Sequence, residues 1–173
     1  MKKNIIASVV LACAVFSGSA MAAQDGKVNF TGTILESACT VQSASQNLNV
    51  NLGKVAKGVF AAAGNTSTPM PFSLKLDSCP ATVSASGVSV RFEGTTAAGT
   101  NNILNITAGG AVGVGVQMKD SLGNIVVLGS DTIAKPLTVG SNSLDFTAYY
   151  ISTSATVTAG AANAMANFTL IYP

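Results

Sequence analysis

Hydrophobic and polar residues alternate along most of the chain with a period of two, which is the pattern of a strand buried on one face. The alternating segments cover residues 28–34, 48–52, 72–76, 88–92, 112–118, 144–150 and 167–172. Stretches rich in glycine, asparagine, serine and threonine separate these segments and are typical of turns. Helical periodicity is hard to find. The pattern therefore predicts an all-β sandwich of short strands.

The last alternating segment, NFTLIYP, raises a question about its edge. Phe168, Leu170 and Tyr172 share one face and alternate with Asn167, Thr169 and Ile171. An unpaired strand edge invites pairing with another chain, so soluble proteins usually cover such edges. We therefore expect another strand to pair with this segment.

The first 22 residues have the three parts of a secretory signal. Lys2 and Lys3 form the charged start, residues 5–16 form an apolar stretch, and Ala20-Met21-Ala22 is a small-residue cleavage site. Cys13 offers an alternative, lipid attachment, but it lies inside the apolar stretch rather than at its end. We expect cleavage after Ala22, export and a mature domain that begins at Ala23.

Charge gives little reason to expect a nucleic-acid partner. Two of the nine basic residues lie in the predicted signal, which leaves seven basic against seven acidic residues in a nearly neutral mature chain. No basic cluster is present, which argues against nucleic acid or an anionic membrane surface as a partner.

The mature chain has two cysteines, Cys39 and Cys79. Export makes a disulfide the first expectation, because disulfides persist in oxidising compartments. A zinc site is the alternative, but two cysteines without any histidine fall short of the usual four ligands.

Candidate catalytic chemistry is sparse. The chain has no histidine, which removes the usual general base and metal ligand, and its seven carboxylates form no local cluster. A distant pair, Glu93 and Asp131, is the remaining candidate for acting on a sugar. The glycine-rich stretch GGAVGVGV lacks the order and the following helix of a nucleotide-binding loop. We expect no enzymatic activity, no cofactor and no metal.

Several motifs together give the chain a family resemblance. They are DGKVNFTGTILESAC near the start, two cysteines about forty residues apart, LNVNLGKV after the first cysteine, and GAANAMANFTLIYP at the end. Gly160 is fourteenth from the C-terminus and Tyr172 is penultimate. With these features the chain resembles the pilin subunits of chaperone–usher fimbriae, of the type 1 and P pilus kind, over essentially the whole mature sequence.

The resemblance implies an incomplete immunoglobulin-like β-sandwich that lacks its final strand and is completed by a donor strand in trans. It implies a domain over residues 33–173 and a donor extension over residues 23–32. The donor residues would be Gln24, Gly26, Val28, Phe30 and Gly32. The C-terminal strand that pairs with a chaperone or donor would contain Gly160, Phe168, Leu170 and Tyr172.

The same resemblance implies a structural role outside the cell. The expected partners are a periplasmic pilus chaperone, an outer-membrane usher and other copies or related subunits, and the expected location is a surface fimbria that supports adhesion. Two other classes remain as alternatives: a small outer-membrane β-barrel and a secreted carbohydrate-binding module that acts alone.

Overall fold

A computed structural model describes residues 26–34 and 38–173 of the chain. The chain divides into two units, Met1–Ile34 and Leu35–Pro173, which are described separately below. The predicted signal, Cys13 and Gln24 lie outside the described residues.

Most strands of the second unit belong to one antiparallel sheet of five strands. Its order is β1–β2–β6–β5–β4. The strands are β1 (Thr40–Val41), β2 (Met70–Cys79), β4 (Ile103–Asn105), β5 (Val114–Asp120) and β6 (Gly140–Ser152). The long strands β2 and β6 run side by side at the centre, with Phe72 opposite Phe146 and Leu74 opposite Leu144.

A smaller sheet pairs β3 (Ser89–Glu93) with β7 (Asn167–Ile171), antiparallel. The segment around residues 129–135 follows the other edge of β3: Thr132 N–H donates to Val90 C=O at 3.0 Å, and Lys135 N–H donates to Val88 C=O at 2.9 Å. β3 therefore has neighbours on both sides, whereas β7 has a strand on one side only among the described residues.

The hydrophobic core lies between the two sheets. Leu74 and Leu76 of β2 are at most 1% exposed, and Val90 of β3 is equally buried. Phe92 packs edge-to-face on Phe146 with ring centroids 5.1 Å apart. Alternate residues of facing strands supply this core, which is why the two-residue hydrophobic period predicts its members well.

Helical structure is limited to three short turns. They are the α-helical turns Ser43–Gln46 and Ala81–Ser84 and the 3₁₀ turn Lys57–Val59. Among the described residues no helix is both long enough and apolar enough to cross a membrane.

The predicted strands agree with the structure in the centre of the sandwich and less well at its margins. Alternation at 72–76 and 144–150 falls inside β2 and β6, and that at 88–92 and 167–172 coincides with β3 and β7 within one residue. The predicted strand 112–118 begins later, at Val114, because Gly113 adopts a left-handed φ of 81°. The strands β1 and β4 are too short for alternation to reveal them.

The predicted strand at 48–52 is wrong as a paired strand. Val50 and Leu52 are half-buried and Asn49 and Asn51 are exposed, so the two-residue period is present. However, no strand is formed there, because no other described segment pairs with its backbone. Residues 48–52 therefore have the side-chain pattern of a strand without backbone hydrogen bonds to a neighbouring strand.

A polar cluster on the outer face joins β2, β6 and the segment before β6. The Asp145 carboxylate accepts hydrogen bonds from Ser143 Oγ at 2.6 Å and Ser73 Oγ at 2.7 Å. These hydroxyls, followed by the charge of Lys135 at 3.6 Å, hold the pKa of Asp145 below its ordinary value. Half of the Asp145 side chain is exposed, so this cluster adds little to stability.

Candidate strand-acceptor groove

A long groove opens onto the hydrophobic core of the second unit, with a volume of about 1230 Å³. Two stretches of chain form its sides: residues 46–55, called the first rim, and residues 157–168, called the second rim. The second rim overlaps the start of β7, and Asn167 and Phe168 of that strand line the groove.

The floor of the groove is the core itself. It is formed by side chains of both sheets, among them Leu74, Phe92, Val116, Met118 and Ala148. Each of these five residues is 7% exposed or less and belongs to the central hydrophobic cluster. An apolar chain lying in the groove would therefore contact core residues directly.

The first rim has an unpaired backbone over most of its length. Within residues 48–55, the part of the chain that the structure describes there makes no backbone–backbone hydrogen bond. One local bond is present, from Gly53 N–H to the Asn51 side chain at 2.9 Å. Val50, Leu52 and Val55 pack on the core from this rim, which leaves its polar backbone groups available to an incoming strand.

The second rim is paired on its outer edge only. Ala111 N–H donates to Ala161 C=O at 2.7 Å, and Thr107 N–H donates to Asn163 C=O at 2.8 Å. In an extended chain the backbone groups of successive residues point to opposite edges, so those of Ala162 and Ala164 point toward the groove. Among the described residues, the N–H groups of Ala162 and Ala164 have no backbone partner.

Side chains on the second rim alternate in the same way and are small where they face the groove. Ala162, Ala164 and Ala166 are half-buried against the core, whereas Asn163 and Met165 are exposed. Because the three inward-facing side chains are all methyl groups, they leave space beside the rim.

Tyr150 reaches the second rim from the core side. It belongs to β6, lines the groove, and donates its hydroxyl to Ala162 C=O at 2.9 Å. Burial raises the pKa of Tyr150, so the phenol remains protonated and able to donate at neutral pH. A carbonyl oxygen has two lone pairs, so Ala162 can still accept a further hydrogen bond from a strand in the groove.

The predicted C-terminal strand residues lie together as the alternation indicated. Phe168 and Leu170 of β7 pack against the core, and so does Tyr172, which follows the strand. The Tyr172 hydroxyl accepts a hydrogen bond from Cys39 N–H at 3.2 Å. Burial raises the pKa of this phenol, while the Cys39 contact acts in the opposite direction.

Cys39 and Cys79 form a disulfide, with Cα atoms 4.2 Å apart. The bond ties the beginning of the second unit to the end of β2, and Tyr172 ties the C-terminus to the same place. Loop closure by such a bond is worth about 4 kcal/mol in the chain-entropy treatment.

Gly160 lines the groove and also lies against a neighbouring chain segment. A Cβ on Gly160 would stand 2.7 Å from Ala111 N and 2.9 Å from Gly110 C. A Cβ on Gly110 would collide with the carbonyl oxygen of Ala161. The bare face of the glycine-rich stretch therefore serves close approach between backbones.

In the first unit, the predicted donor residues that the structure describes lie in irregular chain and are exposed. Val28 is 75% exposed and Phe30 is 92% exposed, and no strand is assigned over residues 26–34. Gly26 and Gly32 have no atom within 4 Å of where a Cβ would be. The roles of these residues remain predictions.

The candidate carboxylate pair from the sequence takes part in an ordinary surface contact. Asp131 forms an ion pair with Arg91, with Nε and Oδ1 2.7 Å apart and both side chains more than one third exposed. The hydrogen bond that Arg91 donates to Asp131, followed by the charge of Asp131, raises the pKa of Arg91. Among the described residues, no group of three or more acidic or cysteine side chains is arranged to hold a metal.

Three features of the groove were not identified from the sequence. The alternation at 48–52 indicated a strand but not that it forms one side of a groove. The inward alanines of the second rim carried no hydrophobic signal strong enough to mark them. The contact of Tyr150 with Ala162 depends on two sheets meeting, so no local pattern reveals it.

Comparison with known proteins gives a consistent assignment. The family model for fimbrial proteins matches residues 28–173. Long polar fimbria protein A of Salmonella typhimurium is 40% identical over 176 residues, which cover 99% of this chain and 97% of that protein.

Solved structures of similar shape agree with this result. The P pilus rod subunit PapA has a TM-score of 0.70 and 29% identity, over 79% of this chain and all of that chain. A type I fimbria protein of Burkholderia pseudomallei has a TM-score of 0.62 and 41% identity, over 85% of this chain and 97% of that one. Both favour the fimbrial interpretation over the two alternatives, and pilins of this kind have the incomplete immunoglobulin-like fold that the open groove displays. The chain belongs to the fimbrial protein family.

Proposed function

We propose that this protein is a structural subunit of a fimbria and polymerises by donor-strand exchange, in which residues 23–32 of one copy enter the groove of another. The observation that carries the proposal is the groove itself. It has an apolar floor of core residues and two sides that each carry backbone N–H groups without a backbone partner. One inserted strand would cover the floor and pair with both sides, which is the physics of strand addition to a sheet edge.

The donor segment has the matching chemistry. Val28 and Phe30 share one face and are exposed in the first unit, so burying them in a groove would contribute roughly 1.5–3 kcal/mol each. Residues 24–32 span about 30 Å when extended, and the twelve residues of the second rim span about 40 Å. The segment is therefore short enough to lie entirely within the groove.

The donor face carries two large apolar side chains with a glycine on each side. Gly26 and Gly32 flank Val28 and Phe30, and Gln24 is the outermost member. We propose that the two large side chains occupy the space beside the inward alanines of the second rim. The glycines then permit close contact between the donor backbone and the groove.

Assembly requires that the open groove be protected before polymerisation. By the family resemblance, a periplasmic chaperone supplies a temporary strand and an outer-membrane usher directs its exchange for the next subunit. The predicted signal and the disulfide are consistent with export through the periplasm to a surface fimbria. In this account the protein supports adhesion as a building unit and performs no catalysis.

A synthetic peptide tests the proposed exchange. We expect the mature chain to take up a labelled peptide of residues 23–32 during refolding, in a one-to-one ratio and in competition with its own extension. Fluorescence polarisation measures the uptake, and size-exclusion chromatography measures the shortening of polymers by excess peptide. A peptide with the same composition in scrambled order is the control. Equal uptake of both peptides would contradict the proposal.

A further inference from the structure

We propose that Gly160 is a positioning residue that sets the width of the groove through its contact with Gly110 and Ala111. The inference rests on the proposed function, since groove width matters only if a strand enters. It assigns to Gly160 an indirect role: the residue holds the second rim in place and need not touch the donor.

The contact is tight from both sides. A Cβ on Gly160 would lie 2.7 Å from Ala111 N, 2.9 Å from Gly110 C and 3.2 Å from Ala111 Cα, all backbone atoms that cannot turn aside. A Cβ on Gly110 would in turn collide with Ala161 C=O. Two glycines facing each other allow the two segments to approach more closely than side chains would permit.

The position of residues 107–112 beside the second rim determines which way the rim would move if Gly160 gained a side chain. Residues 107–112 are hydrogen-bonded to the outer edge of the second rim: Ala111 N–H donates to Ala161 C=O at 2.7 Å, and Thr158 N–H donates to Val112 C=O at 3.0 Å. Of residues 107–112, Ala111 lines the groove, and the first rim forms the opposite side of the groove. A side chain added at Gly160 would therefore push the rim away from residues 110–111 and toward the groove.

Tyr150 limits the ways in which the rim can respond. Its hydroxyl holds Ala162 C=O at 2.9 Å from the core side, two residues beyond Gly160. Residues 160–162 are thus held by backbone contacts on their outer edge and by the Tyr150 side chain from the core side. A displacement at Gly160 cannot be absorbed by lifting the rim without breaking this hydrogen bond.

The backbone conformation of Gly160 makes a clean substitution possible. Its φ lies outside the left-handed region, so alanine there introduces a steric contact without backbone strain. Gly58 provides a matched control, because its φ is also ordinary and no atom lies within 4 Å of where its Cβ would be. Gly58 is exposed and lies in the 3₁₀ turn Lys57–Val59.

The experiment compares Gly160→Ala and Gly58→Ala in the full mature chain. We expect Gly160→Ala to lower the rate of uptake of the labelled 23–32 peptide at least tenfold, and Gly58→Ala to leave it within twofold of the unsubstituted chain. Circular dichroism and the intact Cys39–Cys79 bond verify that each variant folds. Equal uptake by the two folded variants would overturn the proposal.

A second peptide separates a narrowed groove from a weakened fold. Val28→Ala and Phe30→Ala together give a peptide of smaller volume, which a narrowed groove should disfavour less. We therefore expect the preference of Gly160→Ala for the original peptide over the smaller one to fall at least threefold. An unchanged preference would indicate general destabilisation and would contradict the positioning role.

Tyr150→Phe decides the question if Gly160→Ala fails to fold. It keeps the aromatic ring and removes the bond to Ala162, so we expect slower uptake and a reduced preference for the larger peptide. Unchanged uptake and preference would overturn the proposal. If the unsubstituted chain takes up no peptide, the proposed function itself fails, and that outcome is distinct from a failure specific to the variants.

Discussion

Phe30→Asp is expected to abolish incorporation of the protein into fibres while leaving its own groove able to accept a strand. The substitution removes the burial of a large side chain and would place a carboxylate among core residues, which costs several kcal/mol. Since 1.4 kcal/mol corresponds to a factor of ten in affinity, we expect at least a hundredfold loss of donor affinity. Surface fibres counted by electron microscopy give the readout.

The matched control for this prediction is Asn29→Asp. It introduces the same charge one residue away, on the opposite face of the donor segment, where the inserted strand would face solvent. We expect normal fibres from Asn29→Asp and a recoverable, folded Phe30→Asp chain that still takes up the 23–32 peptide. Similar fibre numbers from both variants would show that the face carrying Phe30 is not the one that enters the groove.

Ala164→Phe is expected to block the groove from the acceptor side. Ala164 is half-buried on the second rim and its side chain packs toward the core, so a phenyl ring there would occupy the space of the donor. We expect uptake of the labelled 23–32 peptide to fall at least tenfold. The variant should keep its own donor segment functional, so mixed with the unsubstituted chain it should shorten polymers by capping them.

Met165→Phe is the matched control for the acceptor side. Met165 follows Ala164 on the same rim but is 79% exposed, so the new ring points away from the groove. We expect peptide uptake by Met165→Phe to stay within twofold of the original. Equal uptake by Ala164→Phe and Met165→Phe would contradict the assignment of the groove as the acceptor.

The sequence predicts the centre of this fold because burial there follows a local rule. Strands β2 and β6 are long and buried on one face, so hydrophobic residues recur at every second position. The C-terminal strand was predicted for the same reason, and its unpaired edge posed the question that the groove addresses. Short strands such as β1 and β4 carry too few residues for any period to be read.

The error at residues 48–52 has the most direct physical meaning. Alternation reports which face of a segment is buried, and Val50 and Leu52 are indeed turned to the core. It does not report whether a neighbouring strand is present, because backbone pairing depends on another segment. Alternating burial without backbone pairing is the pattern expected of a sheet edge whose partner strand comes from another chain.

Residues that shape the groove from a distance were beyond sequence reasoning. The role of Gly160 depends on residues 110–111, fifty positions earlier, and that of Tyr150 depends on a contact between sheets. The family resemblance drew attention to Gly160 and Tyr172, but only the packing indicates what they contact. A contact between two single residues that are far apart in the sequence produces no periodic pattern by which it could be predicted.

Unfolding of the Phe30→Asp chain by guanidinium, with and without the 23–32 peptide, tests the central claim most directly. This full-length mature variant cannot donate its own segment, so any completing strand must come from the peptide. An incomplete domain predicts stabilisation by mass action, about 2.7 kcal/mol when free peptide is one hundred times its dissociation constant. An unfolding midpoint that stays the same at every peptide concentration would show that the domain is already complete.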